Sequence, residues 1–268
     1  MGELTPAQPG PSTEAAGDQR KAPRHVGQLP VRLLELLFLI RALPFLGARY
    51  RCPCCGWRLR AFAAGGASLK SRSSGYCPRC SSKARHRRIW RFLAEKTDLF
   101  SAPTSLLEIS PHYSFSRRWV KMRNLRYVGT DLSDRPHVAV RMDLAAAPLR
   151  SATFDAILCV HVLEEIPDDR TALEELFRIV KRGGWVLVSV PTRMDRDTYE
   201  DPAITQPKER RRAFGEEAHV RVYGRDLIER LQGCGFDVQI DLASDIDRAA
   251  MKEYGLRDAE NIFLCRRP

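Results

Sequence analysis

Eight cysteines lie in this 268-residue chain, and four of them stand in pairs. Cys52-Pro53-Cys54-Cys55 and Cys77-Pro78-Arg79-Cys80 each space two cysteines as C-x-x-C, with 21 residues between Cys55 and Cys77. A short turn of this kind aims two thiolates at one point, and two such turns complete a tetrahedron. The expected ligands of a structural zinc ion are therefore Cys52, Cys55, Cys77 and Cys80. Gly56 suits the left-handed position that such turns need. Cys54 breaks the spacing and is left over. A disulfide or free-thiol reading remains the alternative, and a reducing compartment disfavours it.

A second group of residues falls at the ends of apolar runs. Glu108 closes Ser105–Ile109 apart from its last residue, Asp131 follows Leu125–Thr130, and Asp143 follows Val138–Met142. In a parallel α/β sheet, ligands bind beyond the carboxyl ends of the strands. Asp131 lies 23 residues after Glu108, close to the spacing of an acid that grips a ribose diol. A carboxylate accepts two hydroxyl hydrogen bonds at once, and Asp143 with Leu144 can hold an adenine amino group in the same manner. The bland alternative is that these acids cap neighbouring helices. His161 stands just past the fourth strand, Phe154–Val160, and faces the same end.

The elements that position these residues follow from the pattern around them. Thr171–Val180 reads as an amphipathic helix, stopped by Lys181-Arg182-Gly183-Gly184. Trp185–Val190 reads as a fifth strand, and Ser116–Met122 and Tyr223–Cys234 as helices. Phe236–Leu242 and Ile262–Cys265 are later strands. Alternating strands and helices predict a parallel sheet covered on both faces. Hydrophobic residues make up 44% of the chain, enough for a core of this kind and too much for a wholly disordered protein.

The front of the chain differs. Residues 1–28 are polar and rich in Pro, Gly and Ala, and they predict a disordered tail without the apolar segment of a secretory signal. Residues 29–48 form an apolar helix, ended or kinked at Pro44. Its three charges and short length exclude a bilayer span. Docking on the body and attachment to a membrane surface both remain open for it. Residues 49–100 hold the cysteine pairs and a basic helix over 81–96, whose Arg85, His86, Arg87 and Arg88 form a candidate phosphate-binding face. Of the net charge of +11, residues 1–100 carry +12 and residues 101–268 carry −1. The positive charge therefore belongs to recruitment by the front segment.

The block FDAILCVHVLEEIPDD…GGWVLVSVP, with LLEIS and YVGTDLS before it, resembles class I S-adenosylmethionine-dependent methyltransferases of the type 11 group over about residues 104–242. The cysteine-rich front and the segment Phe214-Gly215…His219-Val220-Arg221-Val222-Tyr223-Gly224 are similar to a bacterial subgroup of that family. The resemblance implies a Rossmann-like α/β sheet over residues 101–268, preceded by a zinc-ribbon-like module. It implies S-adenosyl-L-methionine as cofactor. Glu108 and Ser110 would border its methionine part, Asp131 and Leu132 its ribose, Asp143 and Leu144 its adenine, and His161 would lie beside it. His161 and His219 become candidate catalytic bases. Arg221 and Tyr223, after a lid over residues 191–218, become candidate acceptor contacts. The family's glycine-rich first turn is missing: here it reads Glu108-Ile109-Ser110-Pro111-His112-Tyr113-Ser114, where Pro111 stiffens the loop.

The expected activity is methyl transfer to an oxygen or nitrogen of a small, glycan or lipid-linked acceptor, in the cytoplasm or at a membrane surface. Two alternatives stand beside it. One is an RNA methyltransferase whose basic zinc module binds substrate, and the other is a non-catalytic zinc-binding scaffold. Few aromatics of the front segment interleave with its basic residues as base-stacking platforms would.

Overall fold

The computed structural model describes residues 31–64, 75–134, 137–256 and 260–268. The expected tail over residues 1–28 lies outside them. The chain divides into Met1–Leu37 and Phe38–Pro268. Of the first unit, the described part is the opening of helix α1, Val31–Ala42. No helix among the described residues is long and apolar enough to cross a membrane.

The second unit opens with a short hairpin, β1 (Leu46–Arg51) and β2 (Arg58–Leu59), that carries the first cysteine turn. Helix α2 (Ala84–Lys96) follows the second turn. The main body then alternates: β3 (Thr104–Ile109), α3 (Tyr113–Trp119), β4 (Leu125–Asp131), β5 (Val140–Arg141), β6 (Phe154–Val160), α4 (Asp169–Ile179) and β7 (Val180–Ser189). Next come β8 (Thr192–Arg193), β9 (Tyr199–Glu200), α5 (Pro207–Phe214), β10 (Arg221–Gly224) and α6 (Leu227–Gly233). The chain ends with β11 (Asp237–Asp241), α7 (Arg248–Tyr254) and β12 (Ile262–Arg266). The sheet has seven strands in the order β11-β12-β7-β6-β3-β4-β5. It is a mixed α/β sheet flanked by helices, as expected, with one difference. Strand β12 runs antiparallel to both of its neighbours.

Alternation along the central strands builds two cores. Leu107, Ile157 and Val186 face α4 and α6, whose Leu173, Leu176, Leu227 and Leu231 are buried against them. Leu106, Leu158 and Leu187 face the other way, onto Ile89, Phe92 and Leu93 of α2 and Phe115 and Trp119 of α3. Cys52, Cys54, Leu59 and Phe62 belong to that second core. The cysteine-bearing segment therefore packs into the body through one continuous apolar layer.

Several elements sit differently from expectation. Helix α3 starts at Tyr113 because the His112 ring accepts from the Ser114 amide and caps it. Lys181-Arg182-Gly183-Gly184 opens β7 instead of closing a helix. A Cβ at Gly184 would stand 2.7 Å from the Asp155 carbonyl oxygen, so glycine lets β7 pass close to β6. Tyr223 lies in β10, and the helix begins only at Leu227.

The candidate phosphate-binding face is the largest correction. Arg87 is fully buried, and its guanidinium donates to the carbonyls of Gly75, Ser82, Tyr254 and Gly255. It also lies 3.8 Å over the Phe62 ring. Arg88 is buried on Asp241 and the Glu260 carbonyl, and the His86 ring is buried against His112. Arg87 and Arg88 thus tie α2 to the C-terminal segment, His86 ties it to the start of α3, and none of the three can meet a phosphate chain. Burying a cation is costly unless its donors are satisfied, and removing it leaves four buried carbonyls without their partner. Arg87→Ala is expected to lower unfolding free energy by about 3 kcal/mol or more, read as a shift in the urea midpoint. Arg87→Lys, lacking the planar fork, is expected to recover only part of that loss.

Candidate active site and cysteine cluster

The two cysteine turns have matching backbones. Gly56 N donates to the Cys52 carbonyl at 2.7 Å, and Ser81 N donates to the Cys77 carbonyl at 2.7 Å. Gly56 and Ser81 occupy the left-handed region at φ 75° and 60°. The four Sγ atoms of Cys52, Cys55, Cys77 and Cys80 lie within 4.8 Å of one another. Cys52–Cys80 and Cys55–Cys77 are 3.6 and 3.7 Å apart. A tetrahedron with metal–sulfur bonds of about 2.3 Å has edges of about 3.8 Å, so the four thiols fit a tetrahedral thiophilic metal. Cys54 points away, toward the His86 carbonyl.

A cavity of about 680 Å³ opens beyond the carboxyl ends of β3, β6 and β7. This is where a parallel α/β sheet offers a ligand site. Glu108, Ser110, Pro111 and His112 form one wall, and His161, Pro191 and Glu260 the next. Lys83, Arg85 and His86 close it from the start of α2, while Phe214–His219 cover it from the segment after α5. Ser110 and His161, each the first residue past its strand, both take left-handed backbone, at φ 53° and 54°. Non-glycine residues hold that conformation at a cost of about 1–2 kcal/mol each, which the strand-end hydrogen bonds Ser110 N to Thr130 O and His161 N to Ser189 O offset.

Glu108 is buried, and its carboxyl accepts from the His112 amide and from Tyr127 Oη at 2.8 Å. Burial outweighs those two bonds and pushes its pKa up to about 8. His112 is held down to about 4 by burial and by the nearby Arg85 and Lys83 charges. His161 has carboxylates at both nitrogens, Glu164 Oε1 2.8 Å from Nδ1 and Glu260 Oε2 2.5 Å from Nε2. Burial opposes its charge, but the two carboxylates win and raise its pKa.

The remaining candidates fall elsewhere. Asp131 and Asp143 sit at the ends of β4 and before a short helical turn, outside the cavity lining. Asp131 accepts from the Ser133 amide at 2.7 Å and Asp143 from the Ala145 amide at 2.9 Å. Leu132 is exposed and Leu144 is buried in the core. Arg221 and Tyr223 do not reach the cavity. Arg221 is buried and donates to Glu200 and to the carbonyls of Leu163, Ile166 and Pro167. Tyr223 donates to Asp169 at 2.8 Å. Both are anchors of the loop after β6, and the acceptor-contact expectation for them is withdrawn. Glu164, Glu260 and Lys83 were missed as site residues, and Arg85, expected on a phosphate-binding face, lines the cavity instead. Glu164 carried a signal in its i+3 spacing from His161, whereas Glu260 reaches the site only through the C-terminal fold.

With fold and cavity in place, the comparisons give the class. Residues 107–188 match the profile of a methyltransferase domain. A probable S-adenosylmethionine-dependent methyltransferase of Mycolicibacterium smegmatis is 30% identical over 133 residues, covering 48% of this chain and 46% of that protein. A ubiquinone biosynthesis O-methyltransferase of Nitrosomonas europaea is 29% identical over 86 residues, covering 26% of this chain and 37% of that protein. The chain thus spans less than half the length of these curated relatives. Among solved structures, the [4+2]-cyclase SpnF superposes with a TM-score of 0.51 at 15% identity, over 77% of this chain and 89% of that one. The body is a Rossmann-like α/β fold with its cleft at the strand ends. Within that fold class, residues 107–188 carry the sequence signature of a methyltransferase domain.

The raised pKa of Glu108 has a consequence for stability. The unfolded carboxyl ionises from about pH 4.5, while the folded one keeps its proton to about pH 8. The folded state binds more protons between those values, so this group makes stability fall as pH rises through that window. Glu108→Gln is expected to flatten the pH dependence of the urea midpoint between pH 5 and 8. Its effect should be most favourable, relative to wild type, at pH 8.

Proposed function

We propose that the chain transfers a methyl group from S-adenosyl-L-methionine to an oxygen or nitrogen of a small or lipid-linked polar acceptor. The observation that carries this reading is the cavity at the ends of β3, β6 and β7, lined from within the matched stretch by Glu108, Ser110 and His161. Its volume suits a cofactor-sized ligand. The cofactor's sulfonium supplies an already activated methyl group. Asp131 would accept from the ribose hydroxyls and Asp143 from the adenine amino group, with Leu132 and Leu144 beside them. Glu108, protonated at neutral pH, stiffens the loop Ser110–His112 through Tyr127. The cavity's task is then alignment of the acceptor atom with the methyl group.

His161 is poorly placed as a free base, because both of its ring nitrogens already face carboxylates. Glu216 and Glu217 rim the cavity as candidates to take a proton from the acceptor, whereas Glu260 is engaged by His161 and Arg85. Lys83 and Arg85 supply the positive counterpart at the α2 side. The burial of His86, Arg87 and Arg88 weakens the nucleic-acid reading. The exposed apolar residues Leu39, Ile40, Leu43 and Leu46 support a lipid-linked acceptor reached at a membrane surface. We further infer that Cys52, Cys55, Cys77 and Cys80 hold a structural zinc ion.

Calorimetry with S-adenosylhomocysteine tests the central claim. Wild type should bind, and Asp131→Ala should weaken binding at least tenfold, as loss of hydrogen bonds to a charged group implies. No heat at millimolar ligand sinks the reading. Sedimentation with anionic vesicles tests the acceptor location: pelleting that falls with Ile40→Glu supports it, and no pelleting of the wild type removes it.

A further inference from the structure

Glu164 is an anomaly in this site. It is 1% exposed, and neither of its carboxylate oxygens has a hydrogen bond of sound geometry. An unsatisfied buried carboxylate is among the most costly groups a core can hold. What faces it is two imidazoles. His161 Nδ1 stands 2.8 Å and His219 Nε2 3.9 Å from Glu164 Oε1. We propose that His161, Glu164 and His219 form a second metal site, a two-histidine, one-carboxylate set for a divalent transition metal at the floor of the cavity.

Three observations support it independently of one another. First, the three donor atoms lie within 4.8 Å of one another, and bonds of about 2.0–2.1 Å to one ion place neighbouring ligand atoms about 3.3 Å apart, between the two distances seen. Second, the far nitrogen of each ring is engaged by an acceptor. His161 Nε2 meets Glu260 Oε2, and His219 Nδ1 meets the Phe214 carbonyl at 3.3 Å. This is the arrangement that fixes the tautomer of a metal-ligating histidine and turns its free lone pair inward. Third, the ligands are held on tied backbone. Val220 N donates to the Glu164 carbonyl at 2.8 Å, and Arg221 clamps the carbonyls of Leu163, Ile166 and Pro167 on either side of Glu164.

Two histidines and one carboxylate leave coordination positions open, and His161 and His219 both line the cavity. The open side therefore takes an oxygen donor, water or an acceptor hydroxyl, whose acidity the ion would raise. That role rests on the methyltransferase reading, while the site itself does not. The ligand set lacks sulfur, so it is chemically distinct from the cysteine cluster.

The test uses the full chain with its cysteine cluster loaded with zinc, dialysed against cobalt(II). The expected result is one further metal equivalent per chain. It should show visible d–d absorption without the near-ultraviolet charge transfer of thiolate ligands. Glu164→Gln and His219→Gln should each lose that equivalent and keep the zinc. Absence of a second equivalent in the wild type, or its survival in both variants, overturns the proposal. S-adenosylhomocysteine calorimetry on the same samples separates the two claims. Metal uptake without cofactor binding leaves the site and removes the methyltransferase reading, whereas cofactor binding without metal uptake removes the site alone.

Discussion

One buried cation holds the two ends of the body together. Arg87 carries its charge into the apolar layer under the sheet, and among the described residues no carboxylate bonds to it. Its stabilisation comes from four carbonyl oxygens, two of them, Tyr254 and Gly255, at the C-terminal end of α7, where the helix dipole is negative. The Phe62 face adds a cation–π contact in a desolvated setting. Burial lowers its affinity for a proton, and the nearby sulfurs of Cys52, Cys54, Cys77 and Cys80 oppose that lowering. Four thiolates around a proposed zinc dication would leave a net charge of about −2 beside it. The cysteine segment and the C-terminal segment are thus linked through one guanidinium.

That link reaches the cavity through α2. Cys80 and Ser82 lead into the helix, whose first turn is capped by the His86 ring accepting from the Lys83 amide. His86 in turn stacks on His112, with ring centroids 3.7 Å apart, and His112 caps α3 and accepts no charge of its own at neutral pH. The cysteine turns therefore set the position of the Lys83–Arg85 wall rather than acting as an appended tether. Of the positive charge concentrated in the first 100 residues, Arg87 and Arg88 are structural for the same reason, whereas Arg49, Arg51, Arg58 and Arg60 are exposed.

The central sheet was legible in the sequence because its strands are continuous apolar runs ended by acids, a pattern few other arrangements share. The four clustered cysteines were legible because C-x-x-C spacing is a local property. What local pattern could not reveal was long-range. The arginines of the 85–88 run read as a charged face, and nothing near them in sequence says that Tyr254 and Glu260 will cover them. Tyr223 was misplaced for a related cause: the end of a strand too short to show alternation, Arg221–Gly224, was absorbed into the helix after it. Asp131 and Asp143 satisfy nearby amides, so the cap and ligand readings of the strand-end acids are compatible, since a carboxylate has acceptor capacity for both.

The missing glycine-rich turn now has a physical account. A turn that approaches a ligand closely needs room, and glycine usually provides it inside the loop. Here the glycine lies on the neighbouring strand. A Cβ at Gly129 would stand 2.7 Å from Pro111 Cγ and 2.9 Å from Tyr127 Oη, so its absence lets the proline loop settle onto β4. Ser110 then takes the left-handed backbone directly, and Glu108 secures the loop from beneath through the His112 amide and Tyr127. His161 repeats the device at the end of the adjacent strand β6. Flexibility has been exchanged for a rigid, partly strained rim around the cavity. Such a rim loses little entropy when a ligand binds, and it holds His161 in the one orientation that turns Nδ1 toward Glu164 and Nε2 toward Glu260.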